Sequence, residues 1–291
     1  MLQKLFVIIL CAGLFTASAA FTAEGTAPKE DLTTLRAAAE KGDAVAQFNI
    51  GVLYYSGQGA PQNYTEALKW FRLAAAQGNA DAQNYLGILY SAGLGVARDY
   101  AEAMKWDKLS AAQGNAAAML NIGMMYNDGQ GVSQNYAEAL KWLKLSAAKG
   151  FAPAQYDIGY YYLDGRHGVP KDYTEAMKWM RLASAQKWAA ATSFIGDMYF
   201  KGHGVKQDYT EALKWYRLAV EQGDVSSKVG IGWMYEHGKG GVHKNYKEAL
   251  KWYRLALKEG WLTAQYDVER MQSEIDSSSN SNINTIPSSS Y

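Results

Sequence analysis

Cys11 is the only cysteine in this sequence. It lies inside the apolar run 5–15, so the rest of the chain has neither a disulfide framework nor a thiolate nucleophile. Histidine is nearly as scarce. His167, His203, His237 and His243 all fall in glycine-rich turns, with no acid or cysteine recurring at ligand spacing, so no metal centre and no cofactor is expected. An excess of one charge is also missing, because 29 lysines and arginines face 28 acids. Without Lys4, which lies in the leader described next, the balance is 28 against 28, which gives no reason to expect general attraction to nucleic acid or an anionic membrane. The run 5–15 is itself shorter than the ~20 residues a membrane-spanning helix needs.

Residues 1–20 have the layout of a secretory signal. Lys4 precedes the apolar run, and Ala17, Ser18, Ala19 and Ala20 supply the small residues for cleavage after Ala19 or Ala20. Leu10 stands before Cys11 where a lipid-attachment box has a small residue, which argues against lipidation. The expectation is export to the periplasm or the exterior, with no membrane insertion once the signal is removed. Residues 21–30, with Pro28, read as a linker. Residues 272–291, rich in serine and asparagine, read as a disordered tail.

Between linker and tail, one pattern repeats. Tryptophan recurs at Trp70, Trp106, Trp142, Trp179, Trp215 and Trp252, in steps of 36 or 37 residues. In phase with it runs a glycine at Gly51, Gly87, Gly123, Gly159, Gly196 and Gly232, each followed three residues later by tyrosine. Such a period means stacked copies of one supersecondary unit, each touching its neighbours, and hence one elongated domain over 31–271.

The tryptophan helix begins after Asn63, Asp99, Asn135, Asp172, Asp208 or Asn245. A glutamate three residues later is placed to reach back to the cap in a relative of the capping box. Each such glutamate also stands three before a lysine, as in Glu66 and Lys69, a spacing that predicts solvated ion pairs. The apolar positions Tyr64, Ala67, Leu68, Trp70, Leu73 and Ala74 cover a face wide enough to need cover on more than one side. The repeated glycine sits mid-helix, where it costs about 0.5–1 kcal/mol against alanine. Its retention predicts a helix packed against bare backbone, with tryptophan or tyrosine laid across it. Glycine-rich turns such as YSGQGAPQN join the units. A phosphate-loop reading of one GxG fails because the turn recurs in step with helix ends.

The combination AEAxKW, AxAQxxLGxxY and GxGVxxDY over 36–37 residues resembles the Sel1-like repeat, a relative of the tetratricopeptide repeat. The resemblance implies an all-α fold, a right-handed α-solenoid of about seven antiparallel helix pairs with degenerate terminal units. It also implies an adaptor or scaffold for other proteins, commonly without catalytic activity. Departures include Lys187 in place of a helix-ending glycine, and Met119 and Thr192 in place of the usual glutamine. Some cysteine-rich relatives of the family are linked to β-lactam binding, and Ser146 with Lys149 spells the SxxK nucleophile motif. No KTG or SDN companion exists in the chain, and the preceding unit has Ser110 with Gln113.

Candidate partner-binding residues come from comparing the units with each other, since positions that differ between copies are free of the shared architecture. Phe151 and Trp188 replace the Asn or Asp that starts the glycine helix, either as a staple-like packing contact or as an aromatic edge for a partner. The residue after the central glycine varies as Val52, Ile88, Met124, Tyr160, Asp197 and Trp233, which marks Tyr160 and Trp233 as exposed aromatics. The residue after tryptophan varies as well, as Phe71, Asp107, Leu143, Met180, Tyr216 and Tyr253. The expected function is that of an exported, non-enzymatic, monomeric scaffold for a protein or peptide partner. The alternative is a β-lactam or cell-wall-fragment binder with weak hydrolase activity.

Overall fold

The computed structural model describes residues 32–165 and 168–283, and the structural statements below concern those residues. The leader, the linker and His167 lie outside them. The described chain is all helical: α1 (Leu32–Glu40), α2 (Ala44–Ser56), α3 (Tyr64–Ala76), α4 (Ala80–Ala92), α5 (Tyr100–Ala112), α6 (Ala116–Asp128), α7 (Tyr136–Ala148), α8 (Ala152–Asp164), α9 (Tyr173–Ala185), α10 (Ala189–Lys201), α11 (Tyr209–Glu221), α12 (Ser226–His237), α13 (Tyr246–Lys258) and α14 (Ala264–Ile283). Each helix packs chiefly on its neighbours in sequence, which stacks the pairs into an α-solenoid. Even-numbered helices α2–α12 carry the central glycine, and odd-numbered helices α3–α13 carry the tryptophan.

Helix starts follow the sequence, with one correction. Asn63 Oδ1 accepts from the amides of Thr65 and Glu66, each at 3.1 Å, and the Asp99, Asp172 and Asp208 caps repeat this. The glutamates do not complete a capping box. Glu66 instead accepts from Lys69 Nζ at 2.5 Å, and the equivalent pair forms in every copy. The backbone N–H of each cap residue donates to the carbonyl of the tyrosine three residues after the central glycine, as in Asn63 to Tyr54 at 2.8 Å. That bond spans nine residues in the ordinary turns and ten at Tyr162–Asp172 and Tyr235–Asn245, so the extra residue is absorbed in the loop.

The second glycine of four turns, Gly95, Gly131, Gly204 and Gly240, is a point of close approach, whereas a Cβ at Gly59 or Gly168 would meet nothing closer than 3.6 Å. A Cβ at Gly95 would lie 2.5 Å from the backbone of Tyr64, and one at Gly131 would lie 2.7 Å from Tyr100 Cβ. Both have positive φ, and at these four turns the loop seats on the tryptophan helix of the unit before. The glycines that end the tryptophan helices are different. Gly78, Gly150 and Gly223 also have positive φ, but a Cβ there would meet nothing within 4 Å. Open space explains how Lys187 occupies the same place at φ 62°, with only the backbone penalty of about 1 kcal/mol.

The central glycine receives the residue after the tryptophan. A Cβ at Gly51 would lie 2.6 Å from the Phe71 ring, at Gly87 2.5 Å from the Asp107 carboxylate, and at Gly196 2.7 Å from the Tyr216 ring. Leu143, Met180 and Tyr253 fill the same role at Gly123, Gly159 and Gly232. All six of these residues are buried. The column that varies most in chemistry is therefore core, and its variability is no sign of a free surface. The tryptophans lie to the side, half-buried against the preceding core, as Trp106 does against Phe71, Leu86 and Leu89.

Two further expectations change. The wide apolar face of the tryptophan helix is not wholly covered: Leu73, Leu109, Leu145, Leu182 and Leu218 form an exposed row, with Leu109 at 51%. At the C-terminus, α14 continues to Ile283, so residues 272–283 of the expected disordered tail are helical, and 284–291 lie outside the described residues. Met271 and Ile275 of α14 pack on Leu250 and Tyr253. Arg270 makes a two-pronged bond to the buried Glu236 and reaches Asp267 at 2.8 Å. Burial alone would raise the Glu236 carboxyl, but bonds from Arg270 and Tyr253 hold it below its ordinary range.

Candidate partner-binding surface

Reactive groups are consumed in packing. Ser146, the serine of the SxxK motif, is fully buried and donates its Oγ to the Ala116 carbonyl at 2.7 Å, and Ser110 does the same to Ala80 at 2.6 Å. His203 stacks on Tyr173 with ring centres 4.4 Å apart, and His237 stacks on Trp233 at 4.1 Å. Among the described residues no group of three His, Cys, Asp or Glu is placed to hold a metal ion, and no helix is long and apolar enough to cross a membrane.

Lys149 of the same motif belongs to a different column. The buried glutamine of AxAQ donates to a last-turn carbonyl of the preceding helix and accepts from the glutamine that ends the next tryptophan helix. Gln83 bonds Ala75 O at 3.3 Å and Gln113 Nε2 at 2.8 Å, and Gln47 with Gln77 and Gln155 with Gln186 repeat the amide pair. Where the amide pair is missing, one or both members change. Thr192 Oγ1 bonds Gln222 at 2.6 Å, Lys228 pairs with Glu259, and Met119 stands opposite Lys149.

A second set of three columns meets at each junction between units. At the first, Phe48, Phe71 and Tyr85 form an aromatic cluster, with Phe71 and Tyr85 stacked at 4.8 Å. At the second, Asn121 Nδ2 bonds Asn84 Oδ1 at 2.9 Å and Asp107 Oδ1 at 3.3 Å. Burial pushes the Asp107 carboxyl well above its usual range, opposed by the Asn121 bond. At the fourth, Tyr156, Met180 and Phe194 pack together. At the fifth, the Tyr216 ring lies where a Cβ on Gly230 would come within 2.8 Å, and its hydroxyl donates to Asp197 at 2.6 Å. Chemistry changes from junction to junction, yet within each of these the members match.

The four candidate residues do not form one site. Phe151 starts α8 without a side-chain cap bond and packs, half-buried, on the core of Leu120, Leu143 and Ile158. Trp188 starts α10 in the same way and packs on the core of Met180 and Ile195, and its indole N–H is buried without an acceptor. Tyr160 is exposed at 42%, its ring perpendicular to Phe194 with centres 6.0 Å apart. Trp233 is half-buried two units on, between Phe200, Tyr209 and His237. Of the four, Tyr160 presents the freest aromatic surface. The sequence reading missed Asp157, three residues before it, whose carboxyl is pushed up to about 7 by burial.

A ladder of helix hairpins with paired amides between them defines an α-solenoid. The Sel1 repeat profile matches residues 44–79, 80–115, 116–151, 152–187, 189–224 and 227–261. The chain belongs to the Sel1 repeat family, whose members are typically non-catalytic and mediate protein–protein interaction. Each matched unit opens with the glycine helix, one helix later than the tryptophan-first division of the sequence. Among solved structures, a Sel1 repeat protein from Oxalobacter formigenes is 33% identical with TM-score 0.68, over 77% of this chain and 89% of that one. A protective antigen present in uropathogenic Escherichia coli strains, displaying an SLR fold, is 31% identical with TM-score 0.57. That match covers 82% of this chain and 59% of the antigen. An immunity protein, Pa5087 from Pseudomonas aeruginosa, shares the fold at 20% identity and TM-score 0.50, over 74% of this chain and 81% of that one. No curated protein is matched.

Proposed function

We propose that this chain is an exported, non-enzymatic scaffold that holds a protein or peptide partner against its row of glycine helices. The observation that carries this reading is the fate of the polar and nucleophilic side chains. Ser110, Ser146, the AxAQ glutamines and Asp107 are all committed to bonds within or between units. What remains for function is surface, and Tyr160 is its most exposed aromatic on that row. The sequence of residues 1–20 supports export to the periplasm or the exterior.

A photocrosslinker placed at position 160 in the source cell is expected to capture a discrete partner, and one at Thr65, on a tryptophan helix, is not. Equal labelling from both positions would count against the assignment of the surface. Fractionation is expected to find the chain outside the cytoplasm with its leader removed. Turnover of a β-lactam that disappears in Ser146→Ala would overturn the non-enzymatic reading and restore the alternative.

A further inference from the structure

The third junction departs from the others. Moving the matched triad Asn84, Asp107 and Asn121 on by 36 residues gives Leu120, Leu143 and Asp157. Leu120 and Leu143 are both buried in one apolar cluster, so the two positions that serve the amide of Asn121 offer nothing polar to Asp157. Asp157 accepts no hydrogen bond from any described residue, and burial is the one cause acting on its carboxyl. A half-buried carboxylate without a donor is costly, and a group that supplies donors relieves that cost.

Three observations say what that group is. Helices α2, α4, α6 and α8 contain no lysine or arginine, while they carry Asp81, Asp128, Asp157 and Asp164. The first cation in the row is Lys201 on α10, 4.0 Å from Asp197. One turn beyond Asp157 on the same helix is Tyr160, exposed and braced edge-on by Phe194. A carboxylate lacking donors beside an aromatic face matches a planar guanidinium, which gives two parallel N–H bonds to an acid and stacks on a ring. An ammonium is more strongly hydrated and lacks the fork.

We infer that Asp157 and Tyr160 form a notch that takes an arginine side chain from the partner segment. This rests on the scaffold reading and names the chemistry of its partner. Asp157 makes the paired bonds, Tyr160 covers the guanidinium plane, and Phe194 holds Tyr160 in place.

The test is calorimetric and NMR titration of the full chain at pH 8 with blocked Ala-Arg-Ala, and with its citrulline and lysine counterparts. The arginine peptide is expected to move the signals of Asp157 and Tyr160. Citrulline, the same shape without charge, should bind at least about tenfold more weakly, and lysine should fall between. Asp157→Asn and Tyr160→Ala should each lose the preference, while Asp128→Asn, an exposed acid two turns beyond the second junction, should keep it. Asp157→Asn removes a half-buried charge without a donor and is expected to melt no lower than the wild type, so its loss of binding would not reflect unfolding. Equal binding of citrulline, an unchanged Asp157→Asn, or no arginine binding would each overturn the inference. A crosslinked partner recovered equally by wild type and Asp157→Asn would sink the notch and leave the scaffold standing. Absence of any partner would sink the scaffold.

Discussion

The second and third junctions are built on the same backbone, 36 residues apart, and treat an acid in opposite ways. At the second, Asp107 is fully buried against Gly87 and Asn121 donates to it, while Asn84 takes the amide's other bond. At the third, the acid has moved to the Asn121 position, and leucines fill the places of Asn84 and Asp107. At one junction the acid has an amide donor, and at the other it lies beside leucines without one. A closed network stabilises and rigidifies, whereas a partly satisfied one is worse than an apolar core. The difference teaches that variability between copies has to be read in groups: a substitution compensated by its two partners is architecture, and one left uncompensated is a candidate for function.

The sharpest way to break this comparison is to make the same change in both places. Asn121→Leu strips the donor from Asp107 and should destabilise by about 2–4 kcal/mol. Asp157→Leu completes an all-leucine junction and should stabilise by about 1–3 kcal/mol at neutral pH. Denaturant unfolding of the two variants checks both, and equal signs would show that the junctions do not differ as described.

The next effect is in the pH profile. The Asp157 carboxyl is raised from 3.8 to about 7 in the folded chain, so the unfolded chain ionises first and ionisation opposes folding. Its contribution is fully present below pH 3.8, is lost as the pH rises toward about 7 and stays lost above that. Asp107 is shifted in the same direction. The informative quantity is therefore the difference between wild type and Asp157→Asn, which should grow between pH 4 and 7 and then level off. A difference flat across that window would show that Asp157 is not desolvated.

The smallest effect concerns Met119 and Lys149, which stand where the neighbouring copies have an amide pair. Met119→Gln with Lys149→Gln should restore a bond like Gln83–Gln113, with a coupling of about 0.5–1 kcal/mol in a double-mutant cycle. Additive single changes would mean that the amide ladder carries no energy between units.

Much of the fold was legible because it is written six times. The caps, the Glu–Lys pairs, the central glycine and the turn glycines all recur in register, and repetition separates signal from chance. The reach of the capping glutamates was not legible, because a carboxylate three residues into a helix can turn back to the cap or forward to a lysine, and both geometries satisfy it. Nor was the partner of the central glycine. Phe71, Asp107 and Tyr216 share no chemistry, and only the packing shows that all three enter the same hole. The site was half legible. Tyr160 stood out as an aromatic in a variable column, but Asp157 looked like an ordinary polar residue on a helix. Its lack of a donor follows from Leu120 and Leu143, which are distant in sequence and brought alongside by the stacking of units.

Each helix of this array touches little beyond its neighbours, and that has a consequence for how the chain comes apart. In a linear array stability is passed along link by link, and the cooperativity of the whole is set by its weakest link. If Asp157 marks the weakest link, the chain is expected to behave as two blocks, α1–α7 and α8–α14, coupled through a joint that loosens as Asp157 ionises. A partner that neutralises that acid would do more than bind. It would fuse the blocks into a single folding unit, so the occupied scaffold is expected to melt in one step where the empty one is expected to melt in two.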